Sequence, residues 1–357
     1  MSSAPAWLQW PITGVIRAGV AIAGSAPAPM TLRMARALGH AAAAAPMNRV
    51  RLGRAIGNLR VAFPQWDEDR VRRTAIAGYE HLFMLGAEIA YGPRVLTPDA
   101  WLRHVRVGEV AAGVEEVLSG RPAILITGHC GNWEVLGCTV SMLGFPLHSV
   151  YRPLDLKSLD DWVRRTRQRY GLTLVDKFGA VHELPKIVRR GAPVSFVADQ
   201  NGGDRGVFVP FFNRLTSSYK SIGLLAMQFD ASIVCGFARR DAPAGTAPDG
   251  LKYRFDAIDA YGPNDWNNQP DPLFYLTARY RRAIETMVRL APEQYLWMHR
   301  IWRSRPRHER LGRPFPEAMA DKIRSLPWTS DADLELIRRR SAADAATLAR
   351  LGVSRLS

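Results

Sequence analysis

The stretch Ala123-Ile-Leu-Ile-Thr-Gly-His-Cys-Gly-Asn-Trp-Glu134 constrains the fold of this chain more than any other. Its short apolar run reads as a buried strand, and Trp133-Glu-Val-Leu-Gly-Cys reads as the start of a helix. Gly128 and Gly131 let the backbone turn sharply between the two and let a substrate come close. His129 then falls at the carboxyl end of a strand, where open α/β sheets bind their ligands, with Glu134 five positions further on.

The pattern around this stretch fits such a sheet. Between Ala100 and Ala260 strand-like and helix-like segments alternate, which predicts an α/β fold with a single mixed, largely parallel sheet flanked by helices. Strands are expected at 123–127, 147–151, 172–175, 194–198, 233–238 and 253–258. Helices are expected at 67–91, 159–170 and 271–290, over 30–57 with a break at Pro46, and at 331–340 and 342–351. With 357 residues and 47% hydrophobic side chains, one large domain with extensions is expected rather than two equal ones. The division reads as a helical membrane-associating segment over 1–57, an α/β domain over 58–311 and a helical tail over 312–357.

Charge narrows the partners. Lys+Arg 48 against Asp+Glu 33 gives +15, and the excess is mostly arginine, which suits phosphate and carboxylate. Nucleic acid, anionic lipid or an acidic carrier protein all qualify. Cys130, Cys138 and Cys235 form no paired metal-ligand spacing and read as small apolar fillers in a reducing compartment. At the amino terminus Trp7, Trp10 and the apolar run from Ile12 are interrupted by Pro11, Gly14 and Arg17. The segment is read as a helix lying along an anionic surface, with Arg17, Arg33 and Arg36 toward the lipid headgroups; packing on the protein's own core is the alternative.

A histidine with a carboxylate nearby is the minimum for a general base. No Gly-x-Ser-x-Gly elbow is present, and Cys130 points away from His129 on a strand, so a protein nucleophile is not expected. Direct attack by a bound hydroxyl on an activated acyl group is the simplest chemistry, with Glu134 as the partner that orients His129. Val150-Tyr-Arg-Pro153 puts Arg152 at the same sheet edge, able to grip a phosphate. In Val197-Ala-Asp-Gln-Asn-Gly-Gly-Asp-Arg-Gly-Val-Phe-Val-Pro-Phe-Phe212, Asp199 and Arg205 are candidates for polar headgroups. Phe208, Phe211 and Phe212 either line an acyl channel or pack in the core as part of a hairpin.

Taken together, His129-Cys-Gly-Asn-Trp-Glu134, Val150-Tyr-Arg-Pro153, Asp199-Gln, Gly206-Val-Phe-Val-Pro-Phe-Phe212 and Pro292-Glu-Gln-Tyr-Leu-Trp-Met-His-Arg-Ile-Trp resemble the lysophospholipid acyltransferases, in particular the lipid A biosynthesis (lauroyl/myristoyl) branch. The likeness runs from about Asn58 to Pro306. It implies acyl transfer from acyl carrier protein or coenzyme A to a hydroxyl of a glycolipid or lipid A precursor, at the cytoplasmic face of a bacterial inner membrane, with no cofactor beyond the thioester co-substrate. It carries catalysis onto His129 and Glu134 and the basic substrate-binding position onto Arg152; Gly131, Asn132, Asp199 and Arg205 are the further substrate-binding candidates. Asn213 stands where the family usually has glycine. Two other readings keep the same residues: a basic protein that binds nucleic acid or anionic lipid without catalysis, and a hydrolase of acyl thioesters or lysolipids.

Overall fold

A computed structural model describes residues 6–168, 171–241 and 251–356. Among these the strands are, in chain order, β1 (Val105–Val107), β2 (Ala123–Thr127), β3 (His148–Tyr151), β4 (Thr173–Asp176), β5 (Val194–Val197), β6 (Val207–Phe211), β7 (Arg214–Ser218), β8 (Ser232–Arg240) and β9 (Tyr253–Tyr261). The helices are α1 (Ala6–Ser25), α2 (Ala28–Ala44), α3 (Arg49–Ala62), α4 (Glu68–Val95), α5 (Ala111–Leu118), α6 (Trp133–Met142), α7 (Lys157–Gln168), α8 (Ala180–Arg189), α9 (Lys220–Gln228), α10 (Pro263–Trp266), α11 (Pro272–Leu290), α12 (Arg307–Arg310), α13 (Glu317–Arg324) and α14 (Asp331–Leu351).

The main sheet has seven strands in the order β1-β9-β8-β2-β5-β3-β4, all neighbours parallel except β8 and β9. The expected mixed, largely parallel sheet is therefore present. β2 lies at its centre, and its Ile124 and Ile126 are buried with Val194 of β5 and Ile233, Cys235 and Phe237 of β8. Such runs are apolar at nearly every position because helices cover both faces of the sheet. α11 supplies much of one cover, burying Leu276, Tyr280, Ile284 and Met287 on its inner face.

The run after Gly206 forms the antiparallel hairpin β6-β7, a separate two-stranded sheet, which is the second of the two readings of that run. Its turn residues Phe212 and Asn213 both have φ of 51°, a left-handed conformation that asparagine tolerates well. Two other features differ from the sequence reading. The two C-terminal helices are one, because nothing between Arg340 and Ala342 breaks α14 and the buried Ser341 donates to Glu309 Oε1 at 2.7 Å. The short strand β1 was not anticipated; three residues leave too little periodicity to read.

The N-terminal helices pack on the body. α2 crosses α4 so closely that a Cβ on Gly39 would lie 2.7 Å from Glu80 Cα. Thr13 of α1 meets Ser158 of α7 through their hydroxyls at 2.6 Å. Outward, α1 and α2 expose Trp10, Val15, Ile22, Met30, Met34 and Leu38. No helix among the described residues is long and apolar enough to cross a membrane. The side chain of Trp7 lies outside the described residues, as do Arg169 and Tyr170.

Candidate active site

His129 follows β2 and Asp199 follows β5. The two strands are parallel and adjacent, with Thr127 opposite Val197, so the residues two positions beyond each strand come out side by side. His129 Nδ1 lies 2.7 Å from Asp199 Oδ1. The Asp199 side chain is fully buried, whereas 18% of the His129 side chain is exposed. Burial pushes the Asp199 carboxyl up, but His129, His299 and Arg281 together outweigh it and hold the group well below the usual carboxylate range. An ionised carboxylate only accepts hydrogen bonds, so Nδ1 carries the hydrogen and Nε2 is the free nitrogen at the exposed edge.

This corrects the role expected of Glu134. Its carboxylate is bound by Arg167 of α7, through Nε at 2.8 Å and through Nη2, and accepts from Trp133 Nε1 at 3.2 Å. The reason is local. Residues 128–132 form a turn rather than a helix, so five positions of spacing do not place Glu134 one helical turn from His129. Asp199, assigned to headgroup binding from sequence, is instead sealed behind the histidine and has no open face for a substrate.

The turn between His129 and α6 is held rigidly. Gly131 has φ of +59°, and a Cβ there would lie 2.3 Å from Ala238 O, so glycine is required twice over. Asn132 caps α6, its Oδ1 accepting from Glu134 N and Val135 N at 3.0 Å each. Its Nδ2 donates to Glu88 Oε2 at 2.8 Å and to Tyr253 Oη at 3.1 Å. Glu88 in turn pairs with Arg240 at 2.5 Å, both side chains being almost fully buried. His81 Nε2 lies 2.9 Å from Gly131 O; burial, and next the Arg240 charge, push this imidazole down to about 3. Gly131 and Asn132 therefore face the protein's own scaffold; the sequence reading had placed them on substrate.

The segment after α11 closes the other side. Cys130 forms an antiparallel bridge with Tyr295, and Leu296 N donates to His129 O at 3.1 Å. This brings the His299 ring within 4.9 Å of the His129 ring, while the Trp133 ring stands edge-on at the same distance. Burial, then the neighbouring His129, push His299 down to about 4, and Asp199 opposes them only in part. Cys130 is fully buried, and burial, followed by Asp199, pushes its thiol far up, which removes it as a nucleophile.

Arg152 is exposed at the carboxyl end of β3, on the same sheet edge as His129. β5 intervenes, so the two strands stand roughly 10 Å apart. Arg205 is exposed in the loop before β6, and neither arginine has an ion-pair partner among the described residues. Its neighbour Asp204 is held by Arg355 and by Ser304 Oγ at 2.7 Å, so this loop is tied to the C-terminal part of the chain. Phe211 and Phe212 are buried among Phe63, Trp297 and Trp302, which is core packing rather than a channel wall. A water-sized cavity between α4, α6 and α7 is lined by Ile89, Leu96, Val135 and Cys138 together with Asn132 and the Glu134–Arg167 pair, and His129 does not line it.

A buried acid holding a partly exposed histidine with one free nitrogen suits proton abstraction from a hydroxyl. Comparison with known proteins agrees with that chemistry. Residues 5–304 match the family described as bacterial lipid A biosynthesis acyltransferase, reaching further toward the amino terminus than the motifs alone. A lipid A biosynthesis lauroyltransferase of Escherichia coli K12 is 28% identical over 306 residues, covering 84% of this chain and 92% of that protein. A palmitoleoyltransferase of the same pathway and organism is 26% identical over the same coverage. A lipid A biosynthesis acyltransferase of Haemophilus influenzae is 26% identical over 264 residues, 72% of this chain and 77% of the relative. The chain is an acyltransferase and belongs to the bacterial lipid A biosynthesis acyltransferase family.

Proposed function

We propose that the enzyme transfers a fatty acyl chain from a thioester donor, acyl carrier protein or coenzyme A, to a hydroxyl of a lipid A-type glycolipid, with His129 as general base. The observation that carries this reading is the 2.7 Å contact between His129 Nδ1 and the buried Asp199 carboxylate, which leaves Nε2 to take a proton. The acceptor hydroxyl gives its proton to Nε2 as its oxygen attacks the thioester carbonyl carbon. The tetrahedral adduct then collapses, the carbon–sulfur bond breaks, and the imidazolium returns the proton to the departing thiolate. Asp199 stabilises the imidazolium formed in between. Glu134 and Arg167 fix α6 against α7, which makes Glu134 a positioning residue in this reading. Arg152 and Arg205 remain candidates for the acceptor's or donor's anionic groups.

The exposed apolar side chains of α1 and α2, with Arg17 and Arg33 among them, support a peripheral seat on the cytoplasmic face of the inner membrane, where donor and lipid acceptor meet. The reading is tested by mass spectrometry of total glycolipids from cells with and without the gene. The expected result is the loss of one acyl chain from one glycolipid. An unchanged glycolipid profile together with altered free fatty acids points to hydrolysis instead.

A further inference from the structure

The arginines that touch the body of the protein are mostly balanced by carboxylates: Arg60 by Glu68, Arg240 by Glu88, Arg279 by Asp259, Arg305 by Glu309. One cluster is not. α3 carries Arg51 and Arg54 three positions apart, hence on one face of the helix. Arg54 Nη1 donates to Met298 O at 3.2 Å, and Asn58, on the same helix, donates through Nδ2 to Trp297 O at 2.8 Å and His299 O at 2.9 Å. These bonds clamp α3 to the turn that bears His299 and Arg300. Arg51 and Arg300 are exposed, and none of the three guanidinia is paired with a carboxylate among the described residues.

Two of them act on the third: burial first, then Arg300 and Arg51, lower the pKa of Arg54, with Tyr79 opposing them. Tyr79 Oη and Arg54 Nε are buried without hydrogen-bond partners. The cluster also lies near the proposed base, because Arg54 is bonded to the carbonyl of Met298 next to His299, whose ring lies 4.9 Å from that of His129. Gathering three like charges without an opposite one is unfavourable unless an anion joins them. One carboxylate is satisfied by one bidentate guanidinium, whereas the several oxygens and higher charge of a phosphate suit two or three.

We propose that Arg51, Arg54 and Arg300 form an anion site that holds a phosphate group of a bound substrate while that substrate's reacting group lies at His129. The phosphate is supplied either by a sugar phosphate of the acceptor or by the phosphopantetheine arm of the donor. Its assignment to a substrate rests on the acyl-transfer reading; the binding of phosphate at the three arginines does not.

The test is equilibrium binding to the full chain of two probe pairs: glucose 1-phosphate against glucose, and 4′-phosphopantetheine against pantetheine. Wild type is expected to prefer the phosphorylated member of at least one pair by about ten-fold or more, a gain in the range of charge-assisted bidentate contacts. Arg51→Gln/Arg300→Gln is expected to lose that preference, and Arg339→Gln, an exposed arginine on α14, to keep it. Both substituted arginines of the site are exposed, so the double variant keeps its melting temperature. The pair that shows the preference identifies the source. Absence of a preference in wild type, or its survival in the double variant, overturns the proposal. Failure of the acyl-transfer reading shows instead as absent turnover with these binding constants unchanged.

Discussion

Glu134 is held by Arg167, one element away on α7, and makes no hydrogen bond to His129 five positions before it. The motif therefore joins two separate arrangements, a histidine paired with Asp199 at the strand end and an ion pair that fastens the first turn of α6.

Since the two partners of that pair depend on each other, Glu134→Ala and Arg167→Ala are each expected to lower kcat/KM by about ten-fold or more, by leaving a half-buried charge unpaired. The double variant is expected to be no worse than the weaker single one. A double-mutant cycle on acyl transfer measures this, and additive losses contradict the pairing.

Loss of the base or of its partner acts on turnover instead. His129→Ala and Asp199→Asn are each expected to reduce kcat by about 10² to 10⁴, the range for general acid–base assistance. His129→Ala leaves the buried Asp199 carboxylate without its partner and is expected to lower the melting temperature as well, so kcat is compared well below the variant's own unfolding transition. Full activity in the His129 variant ends the proposed mechanism.

Two buried histidines make the fold sensitive to acid. His81 and His299 are pushed down to about 3 and about 4 in the folded protein, whereas an unfolded chain takes up protons near about 6.5. Between about pH 6.5 and 4 the unfolded state binds more protons at both sites, so stability is full above the unfolded pKa and falls as pH drops. Each histidine contributes a loss of about 1.4 kcal/mol per pH unit. Urea unfolding at pH 7.5, 6 and 5 is expected to show a falling midpoint; a flat profile refutes the account.

The Glu88–Arg240 pair beneath Asn132 is almost fully enclosed. Glu88→Ala is expected to cost about 3 to 5 kcal/mol, since it strands a buried guanidinium, and the melting temperature reports it. Arg240→Met, by contrast, is expected to harm kcat more than stability if Glu88 is replaced with it, because an apolar pair tolerates burial but releases the Asn132 cap.

Membrane seating through α1, α2 and the arginine surface predicts sedimentation with anionic vesicles that weakens between low salt and about 0.5 M, where screening length falls to a few ångströms. Equal binding to neutral and anionic vesicles at every ionic strength removes the electrostatic part.

Much of the fold was legible because buried parallel strands are written as short apolar runs: 123–127 matches β2 residue for residue, and the boundaries of β3, β4 and β5 agree within one residue. His129 was legible for the same reason, as the polar residue that such a run delivers. Its true partner was not, because the link between His129 and Asp199 is a register between strands 70 residues apart in sequence, and pairing order is not encoded locally. Glu134 was the nearer carboxylate in sequence and so drew the assignment. Arg167, Glu88 and His81 lie inside the expected helices 159–170 and 67–91, and His299 inside the motif that starts at Pro292, with no local pattern that singles any of them out. Each acquires its role from a neighbour more than 30 residues away.

The bridge between Cys130 and Tyr295, with Leu296 N bonded to His129 O, bears on the order in which the protein becomes able to work. A growing chain that has emerged through Tyr261 contains every strand of the main sheet, yet the wall that carries Tyr295, Leu296 and His299 is still missing. His129 is thus synthesised early and enclosed late: both the helix that covers the sheet and the wall beside His129 come from residues after Tyr261.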